Sequence, residues 1–143
     1  MSNTLVPEQA PVAAASVTPS RIVPALVNAM PVWIECPDWC TIDHVAQNMR
    51  HLVDIWHGSD TVSLYEPDDG NPVLVARIGS DPYSTKHERR VPFVAIDDGN
   101  DSVNLTPQQA EVFADSLEVF AARVRDLVRS VAVTRAANRA DAE

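Results

Sequence analysis

Both cysteines of this 143-residue chain and two of its four histidines lie close together, in the pattern Cys36-x3-Cys40-x3-His44-x12-His57. Structural zinc sites hold the ion with four tetrahedral nitrogen or sulfur ligands, commonly two cysteines and two histidines. Thiolates and neutral imidazoles also suit a borderline-soft dication. These four residues are therefore candidate zinc ligands, and a site that uses all of them requires the chain to bring positions 36 and 57 together.

The stretch between the two histidines carries a competing signal. Its apolar residues recur at spacings of 3 and 4, which predicts a helix over residues 41–56; they are Ile42, Val45, Met49, Leu52 and Trp56. One unbroken helix would hold His44 and His57 about 20 Å apart along its axis. Either the chain folds back early, or His57 is not a ligand together with His44.

Two readings of the cysteines need no metal. They are two reduced, buried thiols that behave as small hydrophobes, or they form a disulfide. The disulfide is disfavoured because the chain has the features of a protein of a reducing compartment, and because Cys-x3-Cys is not the Cys-x-x-Cys redox spacing.

The middle of the chain predicts an antiparallel β-meander. Strand-like runs occupy residues 61–66, 72–79, 91–96 and 102–105, and they are rich in β-branched and aromatic residues. The first pair is joined by PDDGN, in which Asp-Gly favours a tight hairpin turn. Connections this short cannot form the crossovers that parallel strands need.

The last element is a long amphipathic helix. Thr106 is its predicted N-cap, Pro107 its first residue and Gln109 the partner in a capping box. A stripe spaced by 3 and 4 follows: Ala110, Phe113, Leu117, Phe120, Val124, Leu127 and Val131. Twenty-six helical residues span about 39 Å, whereas a sheet of five- or six-residue strands is about 20 Å long. We expect the helix to pack on the sheet and its excess length to pack elsewhere, for which a homodimer is one candidate.

These elements predict an α+β fold: a short helical metal-binding knuckle, a meander of three or four strands, and the closing helix. Five of the eleven prolines fall within the first 31 residues. We therefore predict a disordered Pro/Ala-rich tail over 1–31, a single α+β domain over 32–133, and a frayed polar C-terminus over 134–143.

Charge and composition exclude several classes of protein. The net charge is −9, and residues 32–105 carry thirteen acidic and five basic side chains. Nucleic-acid binding is disfavoured, because it relies on lysine and arginine neutralising phosphates. No signal peptide or membrane-spanning run is recognisable, so we expect a soluble cytoplasmic protein. Common catalytic motifs and glycine-rich phosphate loops are missing from the sequence.

The segments CPDWCTIDH, HGSDTVSL and NLTPQQAEVFADSL, with the meander between the last two, resemble a small domain family of unknown function found in actinobacteria and their phages. The resemblance covers about residues 34–125. It rests on a Cys-Pro-x-Trp-Cys run, a following histidine, a downstream His-Gly element and a closing helix. In that family the segment between the histidines varies, which implies a loop there and implies His57 as the fourth ligand. No established activity comes with the resemblance.

We expect a non-catalytic, zinc-stabilised module that binds an unknown protein partner or itself. The first alternative is a zinc enzyme in which Cys36, Cys40 and His44 hold the ion and leave one position open, with Asp43 or His57 as general base. A weaker alternative is a small regulator that contacts DNA through arginines of the last helix, namely Arg123, Arg125, Arg129, Arg135 and Arg139.

Overall fold

A computed structural model describes residues 19–140 and has the predicted α+β architecture. Two β-sheets are followed by one long helix. In chain order the elements are β1 (Ser20–Val27), β2 (Met30–Pro37), α1 (His44–Gln47), β3 (His57–Gly58), β4 (Val62–Tyr65), β5 (Pro72–Ser80), β6 (Phe93–Asp97), β7 (Ser102–Leu105) and α2 (Pro107–Ala140). Single-turn 3-10 helices lie at Leu52–Asp54 and His87–Arg89.

The first two strands form a separate antiparallel hairpin, paired from Ser20↔Pro37 to Val27↔Met30. The predicted tail is therefore wrong for residues 20–31, while residues 1–18 lie outside the described part of the chain. The tail was predicted from its prolines, but proline is excluded only from central strands. Both strands of a two-stranded sheet are edges, where a residue without an amide proton is tolerated.

The described core is small and lies against the inner face of this hairpin. Ala25, Ile34 and Ile55 are buried at its centre. Partly buried side chains surround them: Val23, Val27, Val32, Met49 and Tyr83. Met49 and Ile55 come from the segment that follows α1, so this segment closes the core from the other side.

The helix predicted over 41–56 is wrong, since α1 is a single turn. Asp43 caps its start by accepting hydrogen bonds from the amides of Val45 and Ala46. Asn48 ends it in the left-handed conformation, with φ 39°, and asparagine tolerates this region better than most residues. The Asn48 side chain also accepts a 3.0 Å hydrogen bond from the Ala29 amide. The chain therefore leaves the helix axis at this point and runs beside the β1–β2 turn.

The meander is antiparallel throughout, and its four predicted strands are confirmed as β4 to β7. Both β3 and β4 pair with one edge of β5, while β6 and then β7 continue the sheet from the other edge. The register places a set of apolar side chains on one face of the sheet: Val62, Leu64, Leu74, Ala76, Val94, Ile96, Val103 and Leu105.

Helix α2 begins with the predicted capping box. The Gln109 amide donates to Thr106 Oγ1 over 3.2 Å, and the Thr106 amide donates to Gln109 Oε1 over 2.9 Å. The helix contacts β6 and β7, but no residue in it is buried. It continues to Ala140. The frayed C-terminus predicted over 134–143 is therefore wrong for residues 134–140, which are helical. No helix in the described range combines the length and apolar character needed to cross a membrane.

Candidate metal centre

The structure brings the four predicted ligand residues together. Cys36, Cys40, His44 and His57 are each at most 3% exposed, and one ligand atom from each lies within 4.8 Å of the other three. His44 Nε2 is 3.5 Å from Cys36 Sγ, 3.6 Å from Cys40 Sγ and 3.2 Å from His57 Nδ1. Both cysteines are free thiols. This cluster could hold a metal ion.

The two cysteines are positioned by the end of β2 and the turn after it. Cys36 lies in the last pairs of the hairpin, opposite Arg21. The Cys40 amide donates to the Pro37 carbonyl over 2.9 Å, which closes the turn. The Arg21 guanidinium crosses from β1 and donates to the Cys40 carbonyl over 2.9 Å. Strand β1, which the sequence analysis assigned to a tail, therefore holds the cysteine turn in place.

His44 is oriented by a side chain that the sequence analysis missed. Its Nδ1 lies 3.0 Å from Gln47 Oε1, and Gln47 Nε2 donates to the Trp56 carbonyl over 3.2 Å. Because the amide oxygen can only accept, Nδ1 carries the proton and Nε2 presents its lone pair to the thiols. Such a partner on the far nitrogen fixes the ring of a metal-binding histidine. The sequence signal that could have identified Gln47 is its position three residues after His44, which places the two side chains on one helical turn.

His57 reaches the cluster because β3 is held on two sides. It pairs with Ser80 of β5, and the Thr41 amide donates to the Gly58 carbonyl over 2.9 Å. A Cβ atom at Gly58 would lie 2.4 Å from the Trp56 ring, so no larger residue fits there without movement. The rings of Trp39 and His57 lie nearly perpendicular to each other, with centroids 6.4 Å apart.

Burial dominates the protonation chemistry of the cluster. It raises the pKa of the Cys36 thiol to about 11, with the neighbouring Cys40 adding to the effect. Burial, assisted by the His44 ring, lowers the pKa of His57 to about 4. The protein alone thus favours the neutral thiol of Cys36 and the neutral imidazole of His57. A bound dication reverses this preference for the thiols, because a coordinating sulfur loses its proton.

Residues 20–133 match the model of a family described as a domain of unknown function, DUF6907. The match begins at β1, includes all four residues of the cluster and ends within α2. No curated protein and no solved structure matches the chain. The resemblance to a small domain family of unknown function is therefore confirmed at that level. The chain belongs to the DUF6907 family.

Proposed function

We propose that this protein is a zinc-stabilised, non-catalytic protein-interaction module. The observation that carries the proposal is the spacing of the four ligand atoms. Zinc bonds of about 2.3 Å to sulfur and about 2.0–2.1 Å to nitrogen, at tetrahedral angles, separate sulfur from nitrogen by about 3.6 Å and two nitrogens by about 3.3 Å. The corresponding distances here are 3.5, 3.6 and 3.2 Å.

The donor set supports zinc among the common metals. Calcium and magnesium take oxygen ligands, and no carboxylate belongs to this cluster. Two thiolates and two imidazoles match the tetrahedral sulfur and nitrogen sites typical of zinc. Two reduced cysteines also fit a reducing compartment, so the proposal places the protein in the cytoplasm.

A structural role follows from the number of protein ligands. A catalytic zinc keeps a position for water or substrate, whereas a structural zinc has four protein ligands. The enzyme alternative was favoured by an unbroken helix over 41–56, which would carry His57 away from the other three residues. In the structure His57 Nδ1 faces His44 Nε2, and the residue is 2% exposed. This arrangement supports His57 as the fourth ligand of a site without an open position.

The small core gives such an ion a physical task. Six apolar residues are buried within residues 19–140, and two of these are Cys36 and Cys40. Domains with too little apolar burial commonly rely on a metal or on association. An ion held by these four residues would join the β1–β2 hairpin, through Cys36, to the meander, through His57. The free energy of metal binding would then be part of the free energy of folding.

The interaction role is supported by exposed apolar surface outside the metal cluster. Apolar side chains on one sheet face and along α2 remain exposed, among them Val62 at 75% and Phe120 at 67%. Exposed apolar surface of this extent marks interaction sites on folded proteins. The acidic charge of residues 32–105 favours a protein over a nucleic acid as the partner.

Native mass spectrometry of the purified full chain, with elemental analysis, tests the zinc assignment. We expect one zinc per chain, and we expect Cys36→Ser and His57→Ala to lose it. His51→Ala is the matched control, because His51 is exposed and lies outside the cluster. A chain that is folded and metal-free, with a melting temperature that chelation does not change, would refute the proposal.

A further inference from the structure

An apolar groove of about 810 Å³ runs between α2 and the meander. Its floor is the apolar face of the sheet, at Val62, Leu64, Leu74, Ala76, Val94 and Ile96. Its wall is the first half of the α2 stripe, up to Val124. The helix makes its main sheet contacts with β6 and β7, and the β4 side of the floor remains largely open to solvent. Val62 and Leu64 are accordingly 75% and 58% exposed.

The second half of α2 presents apolar side chains that have no sheet beneath them within residues 19–140. Its stripe continues through Leu127, Val128 and Val131, which are more than half exposed and do not line the groove. The helix has 34 residues, about 51 Å at 1.5 Å per residue, so this half extends beyond the sheet. Each chain thus has an exposed apolar groove over the sheet and, farther along α2, an exposed apolar helix surface that contacts no sheet of the described chain.

Charge divides α2 at the same place. Residues 107–122 contain Glu111, Asp115 and Glu118 and no lysine or arginine, which gives a charge of −3. Residues 123–140 contain five arginines and Asp126, which gives +4. Two parallel copies of this helix would place like charges side by side. Two antiparallel copies place the acidic half of each beside the basic half of the other.

We propose that a second copy of the chain covers the groove, in a dimer in which the α2 helices run antiparallel and cross near Phe120. The distal half of each α2 then lies on the sheet floor of the partner. A two-fold interface must be self-complementary, and Phe120 is the middle residue of the stripe from Ala110 to Val131. The inference rests on the interaction role proposed above and specifies its partner.

The extent of the surface agrees with a stable dimer. Groove and distal stripe together comprise 20 different residues in each protomer. Stable interfaces use about 20–30 residues and about 800 Å² on each side. The surface is also strongly apolar, as the cores of homodimer interfaces are; its three polar residues are Ser63, Arg125 and Arg135.

The mass of the full-length protein in solution, by light scattering and sedimentation, tests association. We expect a dimer at micromolar concentration. We expect Leu127→Glu to raise its dissociation constant by about 30-fold or more, as at a central interface residue. Ala122→Glu, five residues earlier and outside the groove and the stripe, is the control and leaves the dimer intact. Because Leu127 is 65% exposed in the protomer, its replacement leaves the protomer fold in place.

Cysteine cross-linking tests orientation. Ala121→Cys lies beside the crossing point and is expected to form a disulfide with its own copy. Ala132→Cys is expected to form none, because antiparallel pairing holds the two copies of position 132 about 35 Å apart along the helix axis. Cross-linking at both positions would instead mean parallel helices and would overturn the proposed arrangement.

Zinc content, measured on the same samples, separates this inference from the proposed function. A zinc-loaded monomer overturns the dimer alone, whether its groove carries a co-purified apolar small molecule or nothing. A dimer that Leu127→Glu does not weaken also overturns it, since the contact then lies elsewhere. A folded dimer that contains no zinc refutes the zinc assignment and leaves the dimer standing.

Discussion

Replacement of Gln47 tests whether residues outside the ligand set tune the metal centre. In Gln47→Ala, the His44 Nδ1–H loses its acceptor at 3.0 Å and the Trp56 carbonyl loses its donor at 3.2 Å. Loss of such a partner typically weakens metal binding 10- to 100-fold, which corresponds to about 1.4–2.7 kcal/mol. We expect this loss in the zinc affinity of the full chain, measured by competition with a chromophoric chelator at neutral pH.

A conservative variant separates the two hydrogen bonds of Gln47. The carboxylate of Gln47→Glu still accepts from His44 Nδ1 and makes the ring a better donor to the metal, but it cannot donate to the Trp56 carbonyl. We therefore expect Gln47→Glu to retain the zinc affinity that Gln47→Ala loses. Gln108→Ala, at an exposed position on α2, is the control. Unchanged zinc affinity in Gln47→Ala, with a lower melting temperature of the metal-free protein, would refute the argument and leave Gln47 a purely structural role.

Three further substitutions test the backbone features that form the site. Asn48→Ala should lower the free energy of unfolding in urea by about 1–2 kcal/mol, because alanine disfavours the left-handed conformation and the hydrogen bond from the Ala29 amide is lost. Asn48→Gly tolerates this conformation and should lower the free energy of unfolding by less. Equal losses in the two variants would contradict this reasoning. Gly58→Ala should cost about 1–3 kcal/mol in thermal melts, since its Cβ would lie 2.4 Å from the Trp56 ring; an unchanged melting temperature would mean that the ring moves freely. Thr106→Ala should lower the free energy of unfolding by about 1 kcal/mol, because the capping box is lost. If circular dichroism shows an unchanged helix content together with this lower stability, the loss comes from the cap alone.

Local signals were sufficient for the elements whose hydrogen bonds are made within a few residues. Strands β4 to β7 were predicted from β-branched runs separated by tight turns, and the start of α2 from Thr106 and Gln109. In each case the side chains that specify the element lie inside it. The four candidate ligands could be selected from the sequence because their types and close spacing match those of structural zinc sites.

The parts that were missed depend on contacts between distant segments. The end of α1 at Asn48 is set by the turn of the β1–β2 hairpin, through a bond to Ala29, and the apolar spacing of residues 41–56 contains no sign of it. Met49, which the spacing assigned to one face of a helix, instead packs together with Ile55 from a folded-back chain into the hairpin core. The role of Arg21 was hidden because its strand was interpreted as part of the tail.

The four candidate ligands lie within 22 consecutive residues of the chain, so they can meet early in folding. The largest gap between consecutive ligands is the one from His44 to His57, and closing a loop of about this length takes only about 10–100 ns. Its entropic cost grows slowly with length. A metal ion held by these residues could therefore gather them before β3 pairs with β5, a pairing that joins His57 to Ser80 and Gly58 to Gly79 across a longer stretch of chain. If the cluster holds its ion at that stage, the metal centre would fix the end of β2 and the start of β3 before β3 joins the edge of β5.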